Sequence, residues 1–440
     1  MNKFEVAVVG LWHQGVVASA CLAEAGINVI GINESVSLVK SLLDGKSPIF
    51  EPGLEKLLKK GIRKKKLCFT NNFSEIKNVK FILIAHDTSV DKNDNSDLTS
   101  IFNDLHKILP FIKQQYIHIT AQLPAGTSFK IMEAIQKNKK NFKRIAYSPE
   151  NLRLGQAIER YSNPPLPVIG TNDNNTFNAL SDLYSSFSKN WEKTDLLSSE
   201  FLKHALNTFL ATTITLANEI GNITDLMGAN GHEVGRLLKL EPRIGKMALL
   251  RPGMGFSGGT LARDVKSLML FSKNINLNAP LLNGLWKSNK NQNLLPVNII
   301  NRIFKNKDRS KVKISILGLT YKPETSTLRR SLSLEIIKIL INSGYNVSSF
   351  DPMADRIEIR KYKNIGFSES INDCVKNANM ILSITPWASF KELNFKQIKK
   401  LTLDNYFFDI SGLFDKKFIN KIGFKFLSIG DGSITEVIRK

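Results

Sequence analysis

Residues 4–33 read FEVAVVGLWHQGVVASACLAEAGINVIGIN, and this stretch decides the fold. The apolar run at 4–9 predicts a buried strand, and residues 10–15 predict a turn. Residues 16–26 predict a helix that ends at glycine, and residues 27–32 predict a second strand. A strand, a glycine turn, a helix and a second strand within about thirty residues form a βαβ unit. Such a unit implies a parallel sheet with right-handed crossovers.

The same alternation continues along the chain. Strand-like apolar runs follow at 81–85, 116–120, 144–147 and 166–169, with helical stretches between them. Alternating strands and helices favour a sheet that is covered by helices on both faces. This rhythm predicts a doubly wound α/β domain.

A different pattern begins at residue 196. The stretch 196–238 has no proline and carries apolar residues at helical spacing, so it predicts a long helix that joins domains or forms a dimer interface. The βαβ rhythm restarts near Lys311. We therefore expect an α/β fold class, with two Rossmann-like doubly wound domains joined by a long central helix. Strand-like runs in the second domain lie at 312–317, 345–350, 380–385, 406–410 and 424–429. The predicted domains are 1–190, 191–300 and 301–440.

Length and composition exclude several classes of protein. The chain has 440 residues, of which 42% are hydrophobic and 23% charged, so it is neither fibrous nor disordered. No apolar run reaches the ~18 residues that a membrane-spanning helix needs. The net charge of +22 fits a nucleic-acid binder, an enzyme for anionic small molecules, or a solvated basic surface. Zinc-finger spacing and aromatic-interleaved basic strands do not occur, so we expect no nucleic-acid partner.

The three cysteines are widely spaced. Cys21, Cys68 and Cys374 form neither a disulfide framework nor a metal-ligand pattern. This usage predicts a reducing cytoplasm, and we expect no bound metal.

The first turn carries part of a dinucleotide-binding fingerprint. Gly10 supplies the tight turn and Gly15 allows the helix to pack on the strand. Trp12 stands where the fingerprint has its middle glycine, and Asn33 replaces the acid expected on the adenosine ribose. This gapped motif leaves a plain βαβ turn open as the alternative. Because Asn33 lacks the charge that would repel a 2′-phosphate, the sequence does not decide whether the cofactor is NAD or NADP.

Eight short motifs or single residues, spread along nearly the whole chain, occur in the same order as in a known family of proteins. They are Ser47-Pro48-Ile49-Phe50-Glu51-Pro52-Gly53-Leu54, Thr88, Pro124-Ala125-Gly126-Thr127, Ser148-Pro149-Glu150, Lys203 with Asn207, Arg243-Ile244-Gly245, the run from Gly255 to Asp264, and Gly318-Leu319-Thr320-Tyr321-Lys322-Pro323 followed by Arg329. In this order they resemble the UDP-glucose/GDP-mannose dehydrogenase family of nucleotide-sugar dehydrogenases. The resemblance implies an NAD-binding domain over 1–190, a central helical dimerisation region with the catalytic signature over 191–300, and a nucleotide-sugar-binding domain over 301–440.

The resemblance also implies a chemistry. In this family NAD oxidises a sugar C6 hydroxyl twice, through an aldehyde that a cysteine holds first as a thiohemiacetal and then as a thioester. Thr260 stands at the position of that cysteine, and a threonine hydroxyl is a weak nucleophile without an adjacent base. Three outcomes stay open. The enzyme oxidises twice through an aldehyde hydrate, it stops after a single oxidation, or it is an inactive protein that binds a nucleotide sugar.

Site roles follow from the matched motifs. The resemblance implies catalytic roles for Thr127, Glu150, Lys203, Asn207, Thr260 and Asp264. It assigns cofactor contacts to Gly10, Trp12, Gly15, Asn33, Thr88, Thr127, Arg263 and Arg329. It assigns substrate contacts to Asn151, Leu152, Arg153, Arg243, Arg251, Gly255 and Lys322. We expect a homodimer with a nucleotide-sugar substrate and no membrane partner. Ordinary roles stay open as alternatives, with Lys203 and Arg243 as surface cations and Asp264 as a helix cap.

Overall fold

The computed structural model describes residues 4–90, 96–257, 260–328, 331–362 and 365–435. Arg329 and the central glycines of the signature, Gly258 and Gly259, lie outside the described residues. The chain divides into two compact units, 1–206 and 207–440. The boundary between these units falls inside the longest helix, so the three predicted domain limits stay a prediction.

The first unit is built around a parallel sheet. Its strands run in the order β10-β9-β8-β7-β4-β1-β2-β3, and every neighbouring pair is parallel except β8 with β9. A small antiparallel pair, β5 with β6, lies outside this sheet. The strands are β1 (Val6–Val9), β2 (Val29–Ile32), β3 (Leu67–Thr70), β4 (Phe81–Ile84), β5 (Ser89–Val90), β6 (Ser96–Asp97), β7 (Tyr116–Ile119), β8 (Ile145–Tyr147), β9 (Val168–Gly170) and β10 (Glu192–Thr194).

Helices cover both faces of this sheet. On β1, Val6 and Val8 belong to one buried cluster and Ala7 and Val9 to another. Because successive side chains of a strand point to opposite faces, a continuous apolar run is what a strand buried on both faces requires. The helices are α1 (His13–Glu24), α2 (Val36–Leu43), α3 (Leu54–Arg63), α4 (Thr99–Ile108), α5 (Thr127–Gln136), α6 (Ala157–Ser162), α7 (Asn174–Leu183) and the start of α8 (Leu196–Met227), with 3-10 turns at Phe73–Asn78 and Leu109–Phe111.

The second unit contains the rest of α8, further helices and a five-stranded sheet. The strand order is β12-β11-β13-β14-β15, and all pairs are parallel. Its strands are β11 (Lys313–Leu317), β12 (Asn346–Phe350), β13 (Met380–Ser383), β14 (Tyr406–Asp409) and β15 (Lys425–Ser428). Its helices are α9 (Gly231–Leu238), α10 (Leu261–Asn274), α11 (Pro280–Ile303), α12 (Leu332–Asn342), α13 (Arg356–Ile359), α14 (Ile371–Val375), α15 (Phe395–Leu401) and α16 (Lys416–Ile422), with 3-10 turns at Arg309–Lys311 and Ala388–Glu392.

The predicted fold class is confirmed. Two Rossmann-like parallel sheets are present, and α8, a helix of 32 residues, runs from the first unit into the second. The expectation of helix throughout 196–238 is corrected at one point. The helix ends at Met227, Gly228 adopts a φ of +82°, and the side chain of Asn230 caps α9 by accepting from the Glu233 amide. Glycine and asparagine tolerate such a turn, whereas the apolar spacing on either side does not reveal it.

A buried carboxylate ties α8 to the end of the second sheet. Asp225 accepts hydrogen bonds from the amides of Gly430 (2.7 Å) and Gly432 (2.6 Å), in the loop after β15. The Thr435 hydroxyl donates to the Asp225 carbonyl oxygen. Charge-assisted bonds to two amides satisfy loop groups that the sheet ladder leaves unpaired. This part of α8 is therefore fixed to the second sheet.

Candidate active site

The turn between β1 and α1 has the close packing that a dinucleotide-binding turn requires. Gly10 has a φ of +95°, and a Cβ there would lie 2.9 Å from the His86 ring. A Cβ on Gly15 would lie 1.9 Å from the Gly10 carbonyl oxygen. Only glycine fits at both places, so α1 approaches β1 closely enough for its amides to reach a bound pyrophosphate. Trp12 precedes α1 with half of its side-chain surface exposed.

Three further cofactor candidates follow strands of the same sheet or begin a helix beside it. Asn33 lies directly after β2, where its Oδ1 accepts from the Ser35 amide at 3.0 Å. Thr88 lies after β4 and is partly buried. Thr127 begins α5, is buried, and donates its hydroxyl proton to the Pro124 carbonyl oxygen at 2.6 Å. Asn33 and Thr88 thus lie at the carboxyl ends of parallel strands, where open α/β sheets bind ligands.

Lys203 holds the loop that follows β8. Its side chain is only 5% exposed, so the alternative of a surface lysine is wrong. Its Nζ donates to the Glu150 carbonyl oxygen, and to Asn151 Oδ1 at 3.1 Å. Burial raises the pKa of the Glu150 carboxyl, while the charge of Lys203 acts in the opposite direction. A carboxyl with a raised pKa, held beside a cation, is suited to taking up and returning a proton.

Glu200, one turn earlier on α8, was missed by the sequence analysis. It is fully buried and accepts from the amides of Gly126 (2.5 Å) and Ser128 (2.8 Å) at the start of α5. Its carboxylate therefore fixes the helix that carries Thr127. Its position three residues before Lys203 is the only signal that the sequence offers, because residues three apart lie on one side of a helix.

Glu51 was quoted in a motif without a role, and the structure gives it one. This buried carboxylate accepts from the amides of Gly155 (2.8 Å) and Ala157 (2.9 Å), and it lies 3.0 Å from His13 Nε2. Hydrogen bonds from amides to a carboxylate are stronger than those between neutral groups. Glu51 thus fastens the loop after Glu150 beside the first turn of α1.

The substrate candidates of the first unit follow Glu150 in this loop. The Asn151 carbonyl oxygen accepts from the Arg160 guanidinium at 3.2 Å. Leu152 donates its amide to the Glu150 carboxylate and packs partly buried against the sheet core. Arg153 is exposed. The loop is therefore ordered by side chains that bind its backbone, and it leaves the Arg153 guanidinium in solvent.

In the second unit, Asn207 and Asp264 form a buried pair. The Asn207 amide nitrogen donates to the Asp264 carboxylate, and both side chains are buried. Thr260 occupies the N-cap position of α10, and Asp264 lies in the first turn of this helix. Thr260 is exposed, and Arg263, one turn of α10 further on, is buried. The first turn of α10 thus carries the exposed Thr260 hydroxyl and, four residues later, the Asp264 carboxylate that Asn207 fixes.

The remaining substrate candidates are spread over the second unit. Gly255 lies in the loop before α10, where the Phe256 amide donates to Asn289 at 2.7 Å. Arg251 is exposed and donates to the Gly412 carbonyl oxygen at 2.9 Å. The Arg243 side chain is 87% exposed and pairs with Glu241, two residues away. Lys322 lies over the Tyr321 ring. The substrate roles of these residues stay predictions.

Two of the three cysteines are buried thiols that are unsuited to act as nucleophiles. Burial raises the pKa of Cys21 to about 12 and that of Cys374 to about 11, so both thiols stay protonated near neutral pH. Cys68 lies on β3 and is partly buried. Among the described residues, no group of three or more His, Cys, Asp or Glu side chains is placed to hold a metal ion. None of the described helices is long and apolar enough to cross a bilayer.

Comparison with known proteins places the whole chain in one family. Three models of the UDP-glucose/GDP-mannose dehydrogenase family match in order: the NAD binding domain at 4–188, the central domain at 197–291 and the UDP binding domain at 315–416. A UDP-glucose 6-dehydrogenase of Rickettsia conorii is 30% identical over 432 residues, 97% of this chain and 99% of that protein. A GDP-mannose 6-dehydrogenase of Pseudomonas savastanoi pv. phaseolicola is 32% identical over 357 residues, 79% of this chain and 80% of that protein.

Solved structures agree in fold. A UDP-D-ManNAc dehydrogenase from Pyrococcus horikoshii superposes with a TM-score of 0.85 at 24% identity, over 98% of this chain and all of that one. A UDP-glucose dehydrogenase from Pyrobaculum islandicum gives 0.83 at 23% identity, over 97% and 98%. The NAD-binding model spans Thr127 and the glycine turn between β1 and α1. The close packing at Gly10 and Gly15 in this turn fits a dinucleotide-binding site. The chain therefore belongs to the UDP-glucose/GDP-mannose dehydrogenase family, and it is an NAD-dependent nucleotide-sugar dehydrogenase.

Proposed function

We propose that the enzyme oxidises C6 of a UDP-hexose-like nucleotide sugar twice, to the uronic acid, without a covalent thioester. The residue at the head of α10 carries this proposal. It is Thr260, where the family's chemistry uses a cysteine. The names of full-length relatives support the substrate class, since several are UDP-glucose 6-dehydrogenases.

The residues fit a path through a hydrated aldehyde. NAD, when bound, would supply the hydride acceptor that the oxidation of C6 needs. Between the two oxidations, water adds to the aldehyde carbon and loses one proton, which gives the anion of a gem-diol. This anion releases the second hydride as it becomes the acid, so no bond from the enzyme to the sugar is needed. Glu150 takes the proton from this water, because its pKa is raised and Lys203 holds its loop. The Lys203 ammonium stabilises negative charge on the C6 oxygen. Asn207, whose side chain is fixed by Asp264, keeps its proposed catalytic role together with that carboxylate.

Other assignments complete the site. In this proposal the cofactor is contacted by Thr127, Gly10, Trp12, Gly15, Asn33, Thr88, Arg263 and Arg329. The nucleotide sugar is contacted by Asn151, Leu152, Arg153, Arg243, Arg251, Gly255 and Lys322. A cytoplasmic location is proposed as well, and three unpaired cysteines support it.

The stoichiometry of NADH tests the number of oxidations. With a limiting amount of UDP-glucose, UDP-N-acetylmannosamine or GDP-mannose and an excess of NAD, we expect one of these sugars to yield two NADH per sugar. Mass spectrometry should then detect the corresponding uronic acid. A yield of one NADH would favour the single oxidation instead. Binding of a sugar without NADH formation would favour the inactive nucleotide-sugar-binding protein.

Substituting a thiol at the head of α10 tests the role of Thr260. We expect Thr260→Cys to form a covalent sugar adduct or to speed the second oxidation, because a soft nucleophile then stands where the aldehyde forms. Intact-protein mass spectrometry after mixing with NAD and the sugar measures the adduct. Thr260→Ser, which keeps a hydroxyl, is the matched control and should form none. Absence of the adduct together with unchanged kinetics would contradict this placement of residue 260.

The pH dependence of turnover tests Glu150. Its pKa is raised, and only the ionised carboxylate accepts a proton, so we expect kcat to rise with pH through that raised pKa. Glu150→Gln should lower kcat about 10²- to 10⁴-fold and remove this limb of the profile. Glu159→Gln changes an exposed glutamate of α6 and should leave the profile intact. If the Glu150→Gln variant keeps the wild-type profile, Glu150 is excluded as the base.

We also propose a homodimer through α8. Phe209, Leu216 and Ile223 are more than half exposed and are spaced seven residues apart. An apolar stripe with this period is typical of a helix that packs against another helix. Exposed Arg243 would then be available to the substrate of the neighbouring subunit.

Light scattering after size exclusion tests the dimer. Leu216→Asp should convert a dimeric protein into monomers, because it places a charge in the centre of the stripe. Leu403→Asp alters a leucine outside α8 that is also more than half exposed, and it should leave the mass unchanged. A wild-type monomer, or a dimer that survives Leu216→Asp, would refute this interface.

A further inference from the structure

A carboxylate lies at the amino end of α1. Asp87 follows β4, and its Oδ2 accepts from the Gln14 amide at 3.2 Å. The His13 amide points to the same carboxyl group. These are the first two residues of α1, whose amides have no acceptor within the helix. An internal anion therefore occupies the donors that this helix end offers.

Donors at this position are the ones that dinucleotide-binding folds use for the pyrophosphate. In a Rossmann-type turn the pyrophosphate lies at the N-terminus of the first helix, directly after the glycine turn. The Gly10 and Gly15 packing described above identifies α1 as that helix. Two anions at one helix end repel each other, and one set of amides cannot satisfy both.

Titratable groups surround Asp87 from several elements. His13 on α1 also contacts Glu51, and His86, which precedes Asp87, lies 3.3 Å from Asp104 of α4. Glu150, in the loop after β8, repels Asp87 electrostatically. The Gln14 and His13 amides and the His13 and His86 side chains favour the ionised form of Asp87.

The Asp87 side chain reaches solvent, so it is able to move. Protein atoms around the carboxyl nevertheless raise its pKa by desolvation, while the Gln14 amide, His13 and His86 oppose the shift. A second anion placed beside it would raise the pKa further. The group is therefore poised either to leave the helix end or to take up a proton when a phosphate arrives.

We propose that Asp87 is an internal competitor for the pyrophosphate of the dinucleotide, so that cofactor binding requires Asp87 to leave the α1 amides or to become protonated. Asp87 then sets the affinity for NAD without touching the reacting atoms. Proton uptake on binding has a definite sign. Affinity for NAD falls as the pH rises through the pKa of Asp87 in the free protein, because the competitor is then ionised.

Direct titration of the full-length protein with NAD and with NADH tests this. Calorimetry for NAD and fluorescence for NADH give Kd without turnover, so failure of the proposed oxidation would not affect the result. Asp87→Asn removes the charge, and Asp87→Ala removes the charge and the acceptor. We expect at least about a fivefold lower Kd for Asp87→Ala in mildly alkaline buffer. Asp182→Asn, a carboxylate of α7 outside the glycine turn, is the matched control and should bind like wild type.

The pH series separates Asp87 from its neighbours. Both variants keep His13, His86 and Glu150, so any slope that remains in them belongs to groups other than Asp87. We expect Kd to rise more steeply with pH in wild type than in Asp87→Asn. Circular dichroism confirms that each variant is folded. A Kd that is unchanged or higher in both variants would overturn the proposal, and weaker binding would make Asp87 a cofactor ligand. Failure of wild type and variants alike to bind either dinucleotide would overturn it as well.

Discussion

Two charged side chains of α8, Glu200 and Lys203, hold the loops on which the first unit's site depends. Glu200 binds amides where the loop after β7 enters α5, and Lys203 binds a carbonyl oxygen and a side-chain amide oxygen in the loop that follows β8. Each loop leaves a buried strand and would otherwise expose unpaired backbone groups. The Glu200 carboxylate accepts hydrogen bonds from the amides of one loop. The Lys203 ammonium donates hydrogen bonds to the oxygens of the other. Because both come from one rigid helix, the two loops keep a fixed spacing.

The same helix has a comparable task in the second unit. Asn207 fixes the Asp264 carboxylate at the head of α10, and Asp225 fixes the loop after β15. A helix of 32 residues is far longer than one needed to cover a sheet, and its length is used by polar groups in both units. The helix also carries the exposed apolar stripe of Phe209, Leu216 and Ile223. One element thus combines positioning of catalytic candidates with the surface that we assign to a second subunit.

Substitution of a hydroxyl for a thiol changes what the protein has to provide. A thiolate attacks an aldehyde unaided near neutral pH, whereas a hydroxyl needs a base. The buried thiols cannot take over, since burial raises the pKa of Cys21 and Cys374. The route through water that we propose would shift this demand to Glu150 and the groups that hold it. At the cofactor's end of the unit, the carboxylate of Asp87 adds a second site where protonation and ligand binding are coupled.

The sequence alone determined the fold class, the strands near the positions predicted, and the family, because continuous apolar runs, glycine turns and ordered motifs are local signals. The sequence analysis did not predict that the helix is interrupted at Gly228. Gly228 and Asn230 permit a turn there, but the apolar spacing on either side continues as in an unbroken helix. Only the tertiary structure decided the partners of Glu200, Glu51 and Asp87, each bound to amides more than seventy residues away. A carboxylate on a helix or in a loop looks the same in sequence whether it is solvated or buried. What distinguishes the two is the convergence of unpaired backbone amides from distant segments, and that convergence exists only once the chain has folded.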